Sequence, residues 1–367
     1  MKNNQKIRSI SKKFKLIDSG YIINIISIIM ISLITVYSAT KNITNNFLIK
    51  EIIWIFIGLI AFIIVSFIDF RKYMKFSKII YIFNLVLLLA VYFIGTTRLG
   101  ATRWISLGPI NIQPSEFAKI FIIITFSELL VNKFDKGVGG WVGIIKTGIH
   151  ILIPFLLILK QPDLGTSLVL VFLYYLLIFL KNVNLIPFLT LLGINISLIP
   201  VAYFFFLKDY QRSRISVFLN PEKDILGSGW NVIQSKIAVG SGRLFGKGLF
   251  NGTQNNLKFL PESHTDFIFS VFSEEFGFVG AIILLGLYFS LIFKIISIGQ
   301  KSENEFGKML CFGVAGMIFF HSFVNMGMVM GMMPITGLPL LLMSYGGSSF
   351  LVTFIMLGIV HSVKINN

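Results

Sequence analysis

Long apolar runs, each close to the length needed to cross a lipid bilayer, recur along nearly the whole 367-residue chain. A membrane-spanning helix needs roughly 20 predominantly apolar residues. Because the bilayer core offers no water to the backbone N–H and C=O groups, each spanning run is expected to be helical. Ten such spans are predicted, at 21–38, 47–68, 78–95, 115–131, 143–160, 165–181, 185–207, 266–294, 306–331 and 340–363.

The composition agrees with a membrane protein. Hydrophobic residues make up 55% of the chain and charged residues 13%, with a mean hydropathy of +0.83. Since a soluble domain could not bury so much apolar surface, the sequence predicts an all-α, polytopic integral membrane protein that forms a single domain over 1–367. The net charge of +16 is typical of cytoplasmic loops beside anionic lipid, and we expect no nucleic-acid partner. Cys311, the sole cysteine, excludes a disulfide framework or a cysteine metal site.

Lys and Arg residues are distributed unevenly between the predicted connecting segments. With the N-terminus in the cytoplasm, the inner segments hold 17 of them and the short outer segments hold six. Because positive residues concentrate on the cytoplasmic side, we expect the basic segment 1–20 and the C-terminus to be cytoplasmic. This orientation puts 96–114, 160–164, 332–339 and the large loop 208–265, between the seventh and eighth spans, outside.

The outer segment 96–114 and the start of the span that follows it carry four residues suited to a binding site. Glu116 and Lys119 lie at i,i+3, so they face the same side of the helix that Pro114 begins. Ionisable groups at that depth are costly unless they are paired or functional. The pair is therefore either a structural ion pair or the polar floor of a substrate pocket. Arg103 and Trp104 are either interfacial anchors or groups that hold a phosphate and stack a sugar.

Two further outer segments predict local structure. Asp163 lies on a tight turn before the sixth span, where it is expected to be the N-cap of the next helix. The run Met333-Pro-Ile-Thr-Gly-Leu-Pro predicts a re-entrant bend, because proline ends a helix and glycine permits a sharp turn. The small polar residues of 344–349 suit either close helix packing or a water-filled cavity.

The large loop has an excess of positive charge on the predicted outer side. Between 208 and 265 it holds eight basic and four acidic residues, which favours an anionic ligand. The glycine-rich, basic run 240–248 is either a flexible loop or a diphosphate site. It lacks the Walker A spacing, so an ATP site is rejected. Residues 228–239 are predicted to form an amphipathic helix on the bilayer surface.

Asp266 is the carboxylate that the pattern singles out. It lies where the large loop meets the eighth span, and Ser263 stands three residues before it. Both residues suit a helix cap, which by itself would explain Asp266 without chemistry. Glu274 and Glu275 follow about 12 Å further along the helix, where acids imply partners or a function. Of the three acids, Asp266 alone is expected to contact both water and a pocket.

Five motifs together resemble the SEDS family of bacterial shape, elongation, division and sporulation proteins. They are Gly100-Ala-x-Arg-Trp, Gln113-Pro-Ser-Glu, Gln161-Pro-Asp-Leu-Gly-Thr, His264-Thr-Asp-Phe-Ile-Phe with Glu274-Glu-x-Gly, and Pro334-x-Thr-Gly-Leu-Pro with Ser344-Tyr-Gly-Gly-Ser. The resemblance spans almost the whole chain in the family's order. Within the family, the elongation members that determine rod shape are the most similar, on the strength of Lys160-Gln-Pro-Asp-Leu-Gly-Thr and the compact N-terminus. The division-type polymerases are the alternative.

The resemblance implies a peptidoglycan glycosyltransferase in the bacterial cytoplasmic membrane. Its implied substrate is lipid II, a disaccharide-pentapeptide on undecaprenyl diphosphate, and its implied partner is a class B penicillin-binding protein. The family's essential aspartate corresponds to Asp266, its outer-loop tryptophan to Trp104, and its intramembrane acid–base pair to Glu116 and Lys119.

The reaction that the resemblance implies needs a base near a sugar hydroxyl and positive charge on the leaving diphosphate. We hypothesise that Asp266 is the general base and that basic side chains stabilise the departing group. The candidates for that role are Arg103, Arg212, Arg214, Arg243 and Lys247. A divalent cation such as Mg²⁺ or Mn²⁺ is an alternative aid to the diphosphate, although the sequence offers no ligand cluster for it.

Two other classes of function stay open from the sequence. A flippase for lipid-linked precursors would also have ten spans, buried ions and a helix broken by proline, but it would leave its substrate chemically unchanged. A scaffold for a penicillin-binding protein would tolerate substitutions of Asp266, Glu116 and Lys119. The family resemblance favours polymerisation.

Overall fold

The computed structural model describes residues 18–42, 46–98, 101–108, 110–205, 207–224 and 227–367. Residues 1–17, which form most of the predicted cytoplasmic N-terminus, and Gly100 of the first motif lie outside the described residues.

Helices dominate the described part of the chain. In chain order they are α1 (Ser19–Thr40), α2 (Phe47–Phe67), α3 (Arg71–Lys75), α4 (Ser77–Ile94), α5 (Pro114–Lys133), α6 (Gly140–Lys160), α7 (Leu164–Leu180), α8 (Leu185–Phe205), α9 (Asp209–Leu219), α10 (Ser228–Ser241), α11 (Thr253–Asn256), α12 (Ile268–Gln300), α13 (Glu305–Val329) and α14 (Gly347–Asn366). A 3₁₀ turn covers Pro221–Asp224.

Every predicted span overlaps one of the observed helices. Eight helices of the described chain are long and apolar enough to cross a membrane, namely α1, α2, α4, α6, α8, α12, α13 and α14. The other two spans are α7, which is apolar but only 17 residues long, and α5, which carries Glu116 and Lys119 in its first two turns. The chain is therefore an all-α, multi-pass membrane protein, as its sequence predicts.

Helices α13 and α14 form the centre of the bundle. Of their most apolar 18-residue stretches, 78% and 83% of the residues are buried, compared with 6% for α8 at the periphery. Helix α14 packs along α2, and α13 packs along α12. The residues that face these neighbours form one large apolar core, and a second core joins α4 to α8. Side chains presented by α13 consequently have fixed surroundings.

The first outer segment forms a small sheet that the sequence does not predict. Strands β1 (Thr96–Arg98), β2 (Ala101–Leu107) and β3 (Ile110–Ile112) pair antiparallel in that order. Arg103 and Trp104 lie on β2, the middle strand, and β3 leads into α5.

The last predicted span begins too early. It was expected from residue 340, but α14 starts at Gly347, and 333–346 is non-helical. Pro334 and Pro339 prevent a regular helix there, and Gly337 has a φ of +73°. This re-entrant segment (333–346) is nevertheless buried, with Leu338 and Leu340 almost inaccessible to solvent. Its irregular backbone is enclosed by protein, the condition under which such backbone is tolerated at membrane depth.

The large loop is mostly ordered structure. It contains α9, α10 and α11, and α10 confirms the helix predicted at 228–239. Helix α10 packs against α12 and α13. Helix α12 is broken at Gly277, where φ is 64°, and the loop satisfies the backbone groups that the break leaves unpaired. The N–H of Phe278 donates to Arg243 O at 2.9 Å, and Glu274 O accepts from the N–H of Lys247 at 2.9 Å.

Candidate active site around Asp266

Asp266 does not cap α12, so the capping prediction is wrong. The helix begins at Ile268, and its N-cap is Phe267, which makes no side-chain cap bond. Ser263, the other predicted cap, donates its hydroxyl to Asn255 Oδ1 at 2.8 Å instead. The carboxylate of Asp266 is partly buried and is not used by the helix terminus.

Arg214 of α9 lies next to this carboxylate. A Cβ built on Gly337 would be 3.7 Å from Asp266 Oδ2 and 3.9 Å from Arg214 Nη1, so both groups converge on this glycine. Arg214 Nη1 also donates to Ile335 O at 3.2 Å, and its guanidinium lies 5.9 Å from the centre of the Tyr210 ring. The re-entrant segment thus holds the cation beside the carboxylate.

The electrostatic surroundings of Asp266 are suited to a base. Burial is the largest influence and raises its pKa to about 6, from an ordinary 3.8. The charge of Arg214 lowers this pKa, Glu262 raises it and Arg103 lowers it. A base with a pKa near 6 is ionised at neutral pH and still has appreciable affinity for a proton.

Arg103 reaches the same region from β2. Its Nε donates to Gln161 O at 3.2 Å, a second N–H group donates to Pro162 O, and Nη1 lies 3.9 Å from Asp163 Oδ1. Asp163 Oδ1 also accepts from the N–H of Thr166 at 3.2 Å, which confirms Asp163 as the N-cap of α7. Tyr210, beside Arg214, donates its hydroxyl to Pro162 O at 2.9 Å. The turn before α7 therefore links the two arginines.

Glu116 and Lys119 form the predicted ion pair, at 2.7 Å and with Lys119 fully buried. Lys119 Nζ is also 3.2 Å from His321 Nε2, and His321 Nδ1 is 3.0 Å from Pro339 O. The pair is thereby connected through α13 to the re-entrant segment. Glu116 Oε2 is buried and has no hydrogen-bond partner within the described chain.

The structure shows other contacts for the remaining predicted substrate-binding residues. Lys247 donates to Glu274 Oε1 at 2.6 Å, and Arg212 Nη2 donates to Phe204 O at 2.8 Å. Arg243 is exposed at the edge of an apolar cavity of about 540 Å³ between α10, α12 and α13. Trp104 lies on β2 opposite Thr96 and is partly exposed.

The paired acids of α12 hold the large loop in place. Glu274 Oε1 accepts from Lys247 Nζ and also from the N–H of Thr253 at 2.9 Å. Glu275 accepts from the Ser38 hydroxyl of α1. The partners expected for buried acids at this depth are therefore protein groups.

Two polar residues of α13, His321 and Asn325, contact the site although the sequence analysis did not select them. Asn325 Nδ2 donates to Asp266 O at 2.9 Å and to Leu338 O at 2.8 Å. Their i,i+4 spacing within a predicted span was the available signal, because polar groups on one face of an apolar helix imply partners.

The site offers cations rather than metal ligands. Within the residues that the structure describes, no group of three or more His, Cys, Asp or Glu side chains could hold a metal ion. The charged neighbours of Asp266 include two guanidinium groups, which suit an anionic phosphate better than a divalent cation.

Comparison with known proteins gives one consistent result. Residues 15–367 match the family model described as cell cycle protein, FTSW_RODA_SPOVE. The chain is 38% identical to the peptidoglycan glycosyltransferase MrdB of Escherichia coli K12, over 95% of this chain and 93% of that protein. The structure also resembles a chain of a solved peptidoglycan synthase complex that coordinates polymerization and crosslinking. The TM-score is 0.81 and the sequence identity 32%, and the match covers 95% of this chain and 97% of that chain. A second similar solved structure is that of the rod shape determining protein RodA of Thermus thermophilus. Its TM-score is 0.71 and its sequence identity 27%, and the match covers 95% of this chain and 96% of that chain.

Proposed function

The chain belongs to the SEDS family, that of the cell cycle proteins FtsW, RodA and SpoVE, and on this premise we propose that it is a peptidoglycan glycosyltransferase that polymerises lipid II for cell-wall elongation and cell shape. The observation that carries the proposal is the Asp266 carboxylate, which is free of the helix terminus and lies beside Arg214. The activity named for the E. coli relative supports the reaction class.

In the proposed reaction, Asp266 is the general base. An acceptor sugar hydroxyl attacks the anomeric carbon of the donor, and Asp266 takes the hydroxyl proton. The bond between the anomeric carbon and the diphosphate oxygen breaks, and the diphosphate leaves with the electron pair. A single displacement of this kind inverts the anomeric carbon without a covalent enzyme intermediate.

Arg214 and Arg103 are the proposed stabilisers of the leaving diphosphate. Guanidinium groups bind phosphate oxygens with two parallel hydrogen bonds, and fixed cations at the point where charge develops lower the barrier. Backbone carbonyls of the re-entrant segment and of the turn before α7 hold both arginines. Arg212, Arg243 and Lys247 are candidates for contacts with more distant parts of the substrate, as are Trp104, Glu116 and Lys119.

The proposed setting is the bacterial cytoplasmic membrane, with both termini in the cytoplasm and Asp266 on the outer face. The excess of Lys and Arg in the predicted inner segments supports this orientation. A class B penicillin-binding protein is the proposed partner, because the similar complex couples polymerization to crosslinking. Filamentation of cells depleted of the protein would indicate a division role in place of elongation.

The decisive experiment is a polymerisation assay with purified protein and lipid II in detergent, where no membrane potential exists. Glycan strands from the wild type and none from Asp266→Asn would support the proposal. Glu262→Gln is a matched control, since it removes an exposed carboxylate four residues away. Unchanged lipid II with the wild type, combined with its movement across liposome membranes, would instead support a flippase.

A further inference from the structure

One buried amide on α13 joins the backbone of Asp266 to the re-entrant segment, and we infer that Asn325 is a positioning residue for Asp266. The inference rests on the function proposed above. Asn325 is completely inaccessible to solvent. Its Nδ2 group donates one hydrogen to Asp266 O at 2.9 Å and the other to Leu338 O at 2.8 Å.

One of these carbonyls belongs to Asp266, the proposed base, and the other belongs to the re-entrant segment, which holds the Arg214 side chain. Leu338 follows Gly337, on which Asp266 Oδ2 and Arg214 Nη1 converge. Ile335, in the same segment, accepts the hydrogen bond from Arg214. A single side chain on a buried helix therefore sets the position of the base relative to the cation beside it.

The orientation of the amide follows from its contacts. With the amide reversed, Oδ1 would face two carbonyl oxygens and both would lose their donor. In the observed orientation, Oδ1 is buried and has no hydrogen-bond partner among the described residues. An unpaired buried acceptor costs stability. A role in fold stability alone therefore explains this residue poorly, whereas a role in holding two backbone segments together explains it well.

A backbone hydrogen bond also joins the segment before Asp266 to the re-entrant segment. The N–H of Tyr345 donates to His264 O at 2.9 Å, two residues before Asp266. Two sets of hydrogen bonds thus attach the segment around Asp266 to the re-entrant segment, and of these only the bonds from Asn325 come from a side chain. The rings of His264 and Tyr345 also lie in contact, with their centres 5.7 Å apart. Removal of that side chain should let Asp266 shift while the rest of the site stays in place.

A shift of Asp266 should change both the catalytic rate and the pH dependence of the activity. Misplacement of a reacting group by about 1 Å can reduce the rate about 100-fold. The charged groups that influence Asp266 are Arg214 of α9, Arg103 of β2 and Glu262 of its own loop. Because Arg214 is the largest favourable charge, a carboxylate that moves away from it should have a higher pKa. The acid limb of the activity profile should then move to higher pH.

The test compares Asn325→Leu, which keeps the approximate volume without a donor, and Asn325→Asp, which has at most one donor, with the wild type. The assay is polymerisation of lipid II from pH 5 to 9 by folded, monodisperse protein. We expect kcat to fall about 10- to 100-fold for the leucine variant and less for the aspartate variant, with KM nearly unchanged and the acid limb displaced upward. Ser322→Ala is the matched control, since it removes a buried polar group of α13 that has no partner in the described chain.

The outcomes separate this inference from the function on which it rests. A wild type that makes glycan, with both Asn325 variants at wild-type kcat and an unmoved acid limb, would overturn the inference alone. A lower unfolding temperature with unchanged kcat would assign Asn325 to stability and overturn it as well. A wild type that makes no glycan would overturn the proposed function and this role together. If the leucine variant does not fold, the aspartate variant decides.

Discussion

The Asp266→Asn substitution tests whether this carboxylate is kept ionised for chemistry at a cost in stability. The side chains have nearly the same shape, so the substitution removes the charge and the basicity with little change in packing. Loss of a general base typically lowers the rate by about 10²–10⁴-fold. We therefore expect polymerisation of lipid II to fall by that factor and the variant to fold normally.

The predicted gain in stability follows from the pKa of Asp266. Burial raises this pKa from 3.8 to about 6, and the difference corresponds to about 3 kcal/mol of destabilisation of the ionised form in the folded protein. This figure is an upper bound, because the side chain is partly exposed. A raised pKa in the folded state means that the penalty is absent below about pH 4 and is complete above about pH 6. Asparagine avoids the penalty, so the variant should be the more stable protein at pH 8 but not at pH 4.

Two measurements on the same purified samples check this prediction. Polymerisation by the wild type should fall as the pH falls, with a midpoint near 6, because protonated Asp266 cannot accept the hydroxyl proton. Thermal unfolding in detergent should show a higher midpoint for Asp266→Asn at pH 8 and a difference that shrinks towards pH 4. In Glu262→Gln, activity should persist with an acid limb at slightly lower pH, since Glu262 raises the pKa of Asp266.

Two results would refute this reasoning. Wild-type polymerisation by Asp266→Asn would exclude a catalytic role for the carboxylate. A variant that is inactive but less stable than the wild type at pH 8 would mean that Asp266 stabilises the fold, and its loss of activity would then have a structural cause.

Three further substitutions test neighbouring contacts. Arg214→Met should lower kcat about 100-fold and move the acid limb upward, and an unmoved limb would show that this cation does not act on Asp266. Gly337→Ala adds a Cβ 3.7 Å from Asp266 Oδ2 at a residue whose φ is +73°. The free energy of unfolding should therefore fall by about 1–2 kcal/mol, and kcat should fall with it. Wild-type stability and kcat would contradict the convergence of Asp266 and Arg214 on this glycine. Lys247→Met leaves Glu274 without its cation and should lower the free energy of unfolding by up to about 3–5 kcal/mol, seen as a lower unfolding temperature, while the activity per folded protein stays unchanged. Lost activity with normal stability would favour a substrate contact for Lys247.

The predictions that succeeded depend on local sequence. The spans follow from the length of apolar runs, since any helix that crosses the bilayer needs that length. Asp163 caps α7 because a carboxylate after a turn and before an apolar run can accept from the backbone two or three residues on. Glu116 and Lys119 pair because i,i+3 spacing brings them together on any helix.

The predictions that failed depend on contacts between distant segments. The same local rule that was right for Asp163 was wrong for Asp266, because Ser263 is used by Asn255 and α12 starts two residues beyond Asp266. Spacing along the chain also did not reveal the ion-pair partner of Lys247, which is Glu274, at 2.6 Å and 27 residues away in sequence. The contact of Lys247 with a diphosphate stays a prediction. The span start at 340 was wrong because enclosure by protein allows the backbone of the re-entrant segment to remain non-helical.

Hydropathy and spacing along the chain were enough to predict that this is a membrane protein, the number and order of its spanning helices, and the residue types available for chemistry. These follow from hydropathy and spacing along one chain, which need no knowledge of neighbours. The tertiary structure decided which cations lie beside Asp266 and which residue aims it. Arg214, Gly337 and Asn325 come from three separate segments, and only the packing of α9, the re-entrant segment and α13 brings all three to the side chain or backbone of Asp266.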